Sequence, residues 1–188
     1  MKKEQLDRRV RRTKALLLKG LMQLMETKDI KDISVKELSD LIDINRSTFY
    51  LHYNDIYDML NQLENELFVE FNEILDHTML CGLDRISTQT TLLEVFSFLE
   101  RHRDVAKAMM GPHGDLTFVN RMKKLVQKRI YDDLSANQAH YDYAYIESFI
   151  VSGCIGIIET WLNHPNPDSP EEMSVLCSSL LTKGLSLF

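Results

Sequence analysis

The sequence predicts an all-α protein of about nine helices. Three observations carry that expectation. Only seven Gly and four Pro punctuate 188 residues, too few for the many tight turns of an all-β chain. Apolar residues recur three or four positions apart along most of the length, the helical period. Two Ser-x-x-Glu boxes, at Ser34 to Glu37 and Ser169 to Glu172, stand where apolar runs begin, as helix starts do. With 44% hydrophobic and 27% charged residues, the composition is that of a globular domain, not a disordered or collagen-like chain.

The elements follow in order. Across 8–26, Leu17, Leu21, Leu24 and Met25 form an apolar stripe, widened by Leu16, Leu18 and Met22. A polar stretch, 27–33, ends it. Ser34 and Glu37 then cap a short helix whose buried face is Val35, Leu38 and either Leu41 or Ile42. Residues 43–45 interrupt it, and Asn45 caps a second short helix over 46–53. Asn54 or Asp55 caps a long helix with Ile56, Met59, Leu60, Leu63, Leu67, Phe71 and Leu75 on one side. Residues 82–91 read as a linker. Two helical pieces fill 92–110, with Asp104 between them as a cap. Gly111 to Gly114 is the clearest break in the chain. Asp115 caps a helix carrying Val119, Met122, Val126 and Ile130, and 135–140 is a polar connection. The segment 142–162 is β-branched in places, yet its length favours a helix. Pro170 occupies the first position of the last helix, where its missing N–H costs nothing; Met173, Leu176, Leu180 and Leu181 follow.

Charge and cysteine usage bound the function. A formal charge of −6 taken alone speaks against a nucleic-acid binder. It is unevenly spread, however: residues 1–53 carry net +4 and residues 54–188 net −10. Such asymmetry points to an anionic partner for the front end only. Cys81, Cys154 and Cys177 are odd in number, widely spaced and free of any C-x-x-C, which fits a reducing cytosol. The start, MKKEQLDRRVRR, lacks the apolar stretch of a secretory signal. The longest uncharged apolar run, 149–158, has ten residues, too few to cross a bilayer. The expectation is a cytoplasmic protein with no membrane partner.

Residues 34–53 have the layout of a helix-turn-helix: two short helices, a three-residue joint and a supporting helix before them. Such a pair places its second helix in the major groove of DNA. Arg46, Ser47, Thr48, Tyr50 and His52 supply hydrogen-bonding groups, while Phe49 and Tyr53, four apart, pack inward. Arg and Asn read base edges; Ser, Thr and Tyr commonly meet phosphates.

From Ser34-Val35-Lys36-Glu37-Leu38-Ser39 through Ile44-Asn45-Arg46-Ser47-Thr48-Phe49-Tyr50-Leu51-His52-Tyr53, the segment resembles the DNA-binding domain of the TetR/AcrR (tetracycline-repressor) family. Thr-Phe-Tyr-x-His-Tyr is the most specific part. The resemblance covers about residues 8–60, and the stretch 149–162 is similar to the eighth helix of a subgroup near dihydroxyacetone-kinase activators. It implies a helix-turn-helix DNA-binding domain (1–55) and a helical effector-binding and dimerisation domain (56–188). It also implies a homodimeric transcriptional regulator, most often a repressor, with a palindromic double-stranded DNA operator and a small-molecule effector. Carried over residue by residue, it places Ser34, with Lys36 beside it, on a phosphate. Asn45, Arg46 and Ser47 would face bases or nearby phosphates, and Thr48, Tyr50 and His52 the backbone. Arg11, Arg12 and Thr13 would approach neighbouring phosphates or the minor groove. The sequence departs from the family at Asp43 and Ser47, where Gly is common, and at Ile56, where Lys is usual. These departures bear on affinity and operator choice, and they keep open an alternative: a regulator-derived activator or interaction protein acting with a protein partner.

The acidic body is less explicit. Phe96, Phe98, Met109, Met110, Phe118, Met122, Tyr145, Phe149 and Trp161 suit an adaptable apolar pocket, and also an ordinary core. Cys154, Ile157, Trp161, Leu176 and Leu180 can fill a four-helix interface between two copies, or an internal core; the family resemblance favours the dimer. Small residues at Ser152, Gly153 and Gly156 would admit a close helix neighbour. His102, His113 and His140 are too scattered for a metal site. No G-x-G-x-x-G, G-x-x-x-x-G-K-[ST], H-E-x-x-H or G-x-S-x-G occurs, so neither an enzyme nor a cofactor is expected.

Overall fold

A computed structural model describes residues 2–78, 85–136 and 143–185. The α-helices are α1 (Lys2–Met25), α2 (Val35–Leu41), α3 (Arg46–Tyr50), α4 (Ile56–Thr78), α5 (Arg85–Arg101), α6 (Arg103–Met110), α7 (Leu116–Ala136), α8 (Tyr143–Asn163) and α9 (Pro170–Leu185). A single 3-10 turn, Ile30–Asp32, lies between α1 and α2. Among the described residues there is no strand. The chain forms two compact units. The first holds Met1–Asn65 and Ala108–Asp115; the second holds Glu66–Lys107 and Leu116–Phe188.

In the first unit, α1 buries Leu17, Leu21, Met22 and Met25, while Leu16 stays exposed. Ile33, Leu38, Phe49, Tyr53, Ile56, Met59 and Leu60 are the other large buried apolar groups of its first 65 residues. Gly20 lets α2 come close. A Cβ there would sit 2.5 Å from Ile42 Cγ2 and 2.8 Å from Leu38 Cδ1, so those side chains would have to shift to admit one. Ile42 therefore faces α1 and Leu41 is exposed, which resolves the choice between them. Three caps define the helix starts. Ser34 Oγ accepts from the Glu37 N–H at 3.1 Å, but the Glu37 carboxylate turns to the Lys28 ammonium instead of back to Ser34. Asn45 Oδ1 accepts from the Ser47 N–H at 2.9 Å. Asp55 caps α4, accepting from the Asp58 N–H at 2.7 Å, and Asp58 accepts in return from the Asn54 N–H at 2.8 Å.

The second unit corrects several expected boundaries. The segment 85–91 is helical, not linker: Ser87 and Thr88 are buried, and the Thr91 hydroxyl donates back to the Ser87 carbonyl at 3.0 Å. Packing of α5 along α9 recruits a stretch whose Ser and Thr residues suggest a loop. On α9 the buried face is Met173, Ser174, Cys177 and Ser178. Small side chains at 174 and 178 suit close approach, and their hydroxyls donate to the carbonyls of Glu171 and Val175 at 2.7 and 3.1 Å. The break between α5 and α6 falls at His102, with Asp104 inside the first turn of α6. Gly82, Cys81, His140 and most of 135–140 lie outside the described residues.

Helix α8 packs on α7 around Ile130, Ile150 and Val151, with Val126, Ile146, Cys154, Ile155 and Leu181 against them. Local preference disfavours β-branched residues in helices only weakly, and this shared core overrides it. By length and composition Ala144–Asn163 is long and apolar enough to cross a membrane. The apolar segment thus exceeds the ten residues of 149–158, because Glu147 and Glu159 interrupt the uncharged run without ending the helix. Arg103 caps the end of α8. One guanidinium nitrogen donates to the carbonyls of Trp161 and Leu162 at 3.0 and 3.2 Å, and the plane lies over the indole, 4.6 Å from its centroid.

Candidate nucleic-acid interface

Helix α3 is shorter than the expected 46–53. It ends at Tyr50, and the N–H groups of His52 and Tyr53 both point back to the Phe49 carbonyl, at 2.9 and 3.1 Å. The chain must tighten there to reach the α4 cap at Asp55. Phe49 is fully buried and Tyr53 nearly so, their rings 5.7 Å apart. These two aromatic groups anchor one side of the helix. Arg46, Ser47 and Tyr50 project on the other, Tyr50 with 58% of its surface exposed and its ring edge-on to Phe49 at 5.5 Å. Thr48 and His52 are half-buried.

The remaining candidates are mostly exposed, with individual constraints. Arg11, Arg12, Ser34, Lys36 and Asn45 are exposed. Ser34 Oγ is engaged as an acceptor, which leaves its O–H as a donor suited to a phosphate. Asn45 Oδ1 accepts from both the N–H and the hydroxyl of Ser47, so the side chain offers its amide N–H groups outward. Thr13 differs: its hydroxyl donates to the Arg9 carbonyl at 3.0 Å, within α1. Lys14, which the sequence reading passed over, places its ammonium 5.5 Å from the Tyr53 ring centroid. Its position three residues after Arg11 on α1 is the signal that could have found it.

Two departures now have a structural description. Asp43 has φ 54°, in the left-handed region that suits Gly. The Ile44 N–H closes back on the Ser39 carbonyl at 3.0 Å, a Schellman arrangement ending α2. Ile56 is buried, filling the core at the start of α4.

A model of the C-terminal region of TetR-type transcriptional regulators matches residues 87–183, just over half of the chain. The chain belongs to the TetR family of transcriptional regulators. It is 23% identical over 169 residues to YxbF of Bacillus subtilis, an HTH-type transcriptional regulator. That alignment covers 85% of this chain but only 42% of YxbF. Three solved structures share the fold. The fatty acid degradation regulator FadR of Bacillus halodurans matches with TM-score 0.68 and 14% identity, over 92% of this chain and 95% of that one. FadR of Bacillus subtilis, solved in complex with stearoyl-CoA, gives 0.64 and 12%, over 90% and 98%. The dihydroxyacetone kinase operon activator DhaS gives 0.58 and 18%, over 94% and 97%.

In this TetR-family chain the pocket candidates do not form one set. Met109 and Met110 belong to the first unit; Phe96, Phe98, Phe118, Met122, Tyr145, Phe149 and Trp161 belong to the second. Phe96 meets Trp161 edge-on at 5.2 Å, and Phe98 lies 5.5 Å from Phe71. Phe118 is buried and Met122 half-buried. Tyr145 and Phe149 stand 78% and 63% exposed on α8, outside the packed interior of this single chain.

The dimer candidates also divide. Trp161 is buried in its own chain, stacked under Arg103 and donating its indole N–H to the Asp168 carbonyl at 2.7 Å. Cys154 packs inward on the α7–α8 core. The surface of Trp161 is thus spent within its own chain, whereas Cys154 is half-buried. Ile157 is half-buried, and Leu176 and Leu180 are exposed, at 47% and 54%. Burial pushes the Cys154 thiol up to about 11 and that of Cys177 to about 12, the latter helped by the nearby Cys154. Both stay protonated near neutral pH and are poor nucleophiles. His102 and His113 serve as partners of acidic groups, Glu70 at 2.9 Å and Asp29 at 2.7 Å.

Proposed function

We propose that this TetR-family chain is a homodimeric repressor. It binds a palindromic operator through α2 and α3 and is controlled by a small-molecule effector. The observation that carries the reading is α3 itself. A five-residue helix with Phe49 buried and Arg46, Ser47 and Tyr50 outward is anchored on one face and offers base- and phosphate-reading groups on the other. Lys36 and Thr48 on the same two helices, the caps Ser34 and Asn45, and His52 just beyond α3 extend that surface, and Arg11 and Arg12 extend it along α1. Residues 1–55 would act as the reading domain and 56–188 as the effector and dimer domain, in a cytoplasmic protein.

An outward apolar face on α8 and α9 supports dimerisation. Tyr145 and Phe149 on α8, with Leu176 and Leu180 on α9, stand exposed. Nothing lies within 4 Å of where a Cβ would stand at Gly153 or Gly156, so a second helix can approach α8 closely there. A dimer also satisfies the two half-sites of a palindrome. For the effector, Phe96, Phe118, Met122 and Trp161 are the apolar candidates of the second unit.

Selection of bound sequences from random duplex DNA by the full chain tests the reading. Enrichment of a palindromic site is expected, and Arg46→Ala should then weaken binding by about 1–3 kcal/mol with the dimer intact. If nothing enriches, the reading is overturned in favour of a regulator-derived protein that works with a protein partner.

A further inference from the structure

The turn that leads into α2 is held by a residue 84 positions downstream. Asp29 precedes the 3-10 turn Ile30–Asp32 as its N-cap residue, yet its carboxylate makes no cap bond to that turn. An Asp at this position ordinarily accepts from the N–H groups that follow it. Here one carboxylate oxygen meets His113 Nδ1 at 2.7 Å, and the other lies 3.2 Å from the Lys31 ammonium. His113 reaches it from the turn between α6 and α7, which packs in the same compact unit as residues 1–65. That turn is tight and leaves no room for a side chain at Gly114. The Gly114 N–H closes on the Gly111 carbonyl at 3.0 Å, and a Cβ at Gly114 would fall 1.9 Å from the Met109 carbonyl oxygen. Ala108 and Met109, just before it, are buried. Between Asp29 and α2 stand only the 3-10 turn, the buried Ile33 and the capping Ser34, and the Lys28–Glu37 pair spans the same stretch.

We propose that His113 is a positioning residue for DNA recognition: through Asp29 it orients the turn from which α2, and so the α2–α3 pair, projects. This rests on the operator-binding reading above. One oxygen of the carboxylate that would serve its own turn is committed to the α6–α7 segment, while the other meets the Lys31 side chain. The placement of α2 therefore depends on that segment as well as on local capping.

The test uses the full chain and the selected DNA site, with His113→Ala, Asp29→Ala, the double variant and His113→Asn. Asn carries an N–H donor close to the position of Nδ1, so it can keep the bond to Asp29. Each alanine variant is expected to lose about three- to tenfold in operator affinity, with the double no worse than either single, as coupled groups behave. His113→Asn should recover most of the loss. Backbone amide exchange over residues 30–42 should quicken in His113→Ala and return in His113→Asn, without change in α7 or α8. Unchanged affinity, additive losses in the double variant, or no recovery with Asn overturns the inference while leaving the operator reading intact. If the parent chain selects no DNA, the operator reading fails separately. The exchange measurement then decides whether His113 orders the turn, and unaltered exchange at 30–42 overturns that too.

Discussion

Asp43 shows how one residue can carry two separable effects. Its φ of 54° costs an L-residue about 1–2 kcal/mol, a cost that Asp and Asn partly relieve by local hydrogen bonding. Its charge also sits in the joint between α2 and α3, beside the surface proposed for phosphate contact. Asp43→Gly is expected to raise stability by about 0.5–1 kcal/mol, read from urea unfolding midpoints, and to tighten operator binding. Asp43→Asn keeps the tolerated conformation and removes only the charge, so it should tighten binding with little change in stability. Equal affinities in all three proteins would refute the electrostatic half. At this scale the sequence was informative about identity and silent about conformation. Asp43 stood out as a departure from the family's Gly, while its left-handed φ depends on how α2 ends against α1. Phe49 and Tyr53 were legible because two aromatic groups four apart on a short helix have one side to bury. The Asp29–His113 pair was not, since no local pattern links residues 84 apart.

At the level of elements, the two capping boxes look alike in sequence and differ in space. At α9 the box is reciprocal: the Ser169 N–H donates to Glu172 at 2.8 Å, and the Glu172 N–H to Ser169 Oγ at 3.3 Å. At α2 only the Ser34 half forms, because Lys28 competes for Glu37. The backbone N–H and hydroxyl of Ser169 hold the Glu172 carboxyl below its ordinary value of 4.5. A lowered folded-state value means that the stabilisation is present above about 4.5 and is lost as pH falls through the lower folded value. Melting temperatures between pH 6 and pH 3 should therefore fall more steeply for the parent than for Glu172→Gln. Identical slopes would show that the cap does not titrate with folding. Helix existence was readable from apolar spacing nearly everywhere. The misplaced boundaries, at 85–91 and at Asp104, arose where Ser, Thr and Asp can serve either a loop or a packed helix, and burial against another helix made the choice.

For the whole molecule, charge and exposed apolar surface divide the work. Net +4 in residues 1–53 and net −10 beyond leave the front end as the part able to meet phosphates, since an acidic body is repelled by them. The apolar groups exposed on α8 and on α9 are the contact proposed for the dimer. Leu180→Glu, at a position 54% exposed in the single chain, should leave helicity intact and convert a dimer to a monomer in sedimentation equilibrium, with operator affinity falling in parallel. A dimer that survives this change would move the interface elsewhere.

The sequence by itself determined the all-α class, most of the helices, the helix-turn-helix and the charge-bearing residues of its outer face. These depend on spacing, caps and residue type over a few turns of chain, and such local physics can be read without knowing the neighbours. Tertiary structure alone decided which apolar groups of the body face inward. Trp161 and Cys154 turned in while Tyr145, Phe149, Leu176 and Leu180 stayed out. It also decided that a histidine beyond α6 would hold the turn before α2. An apolar stripe states that a surface will be buried; only the helices that arrive beside it settle what buries it.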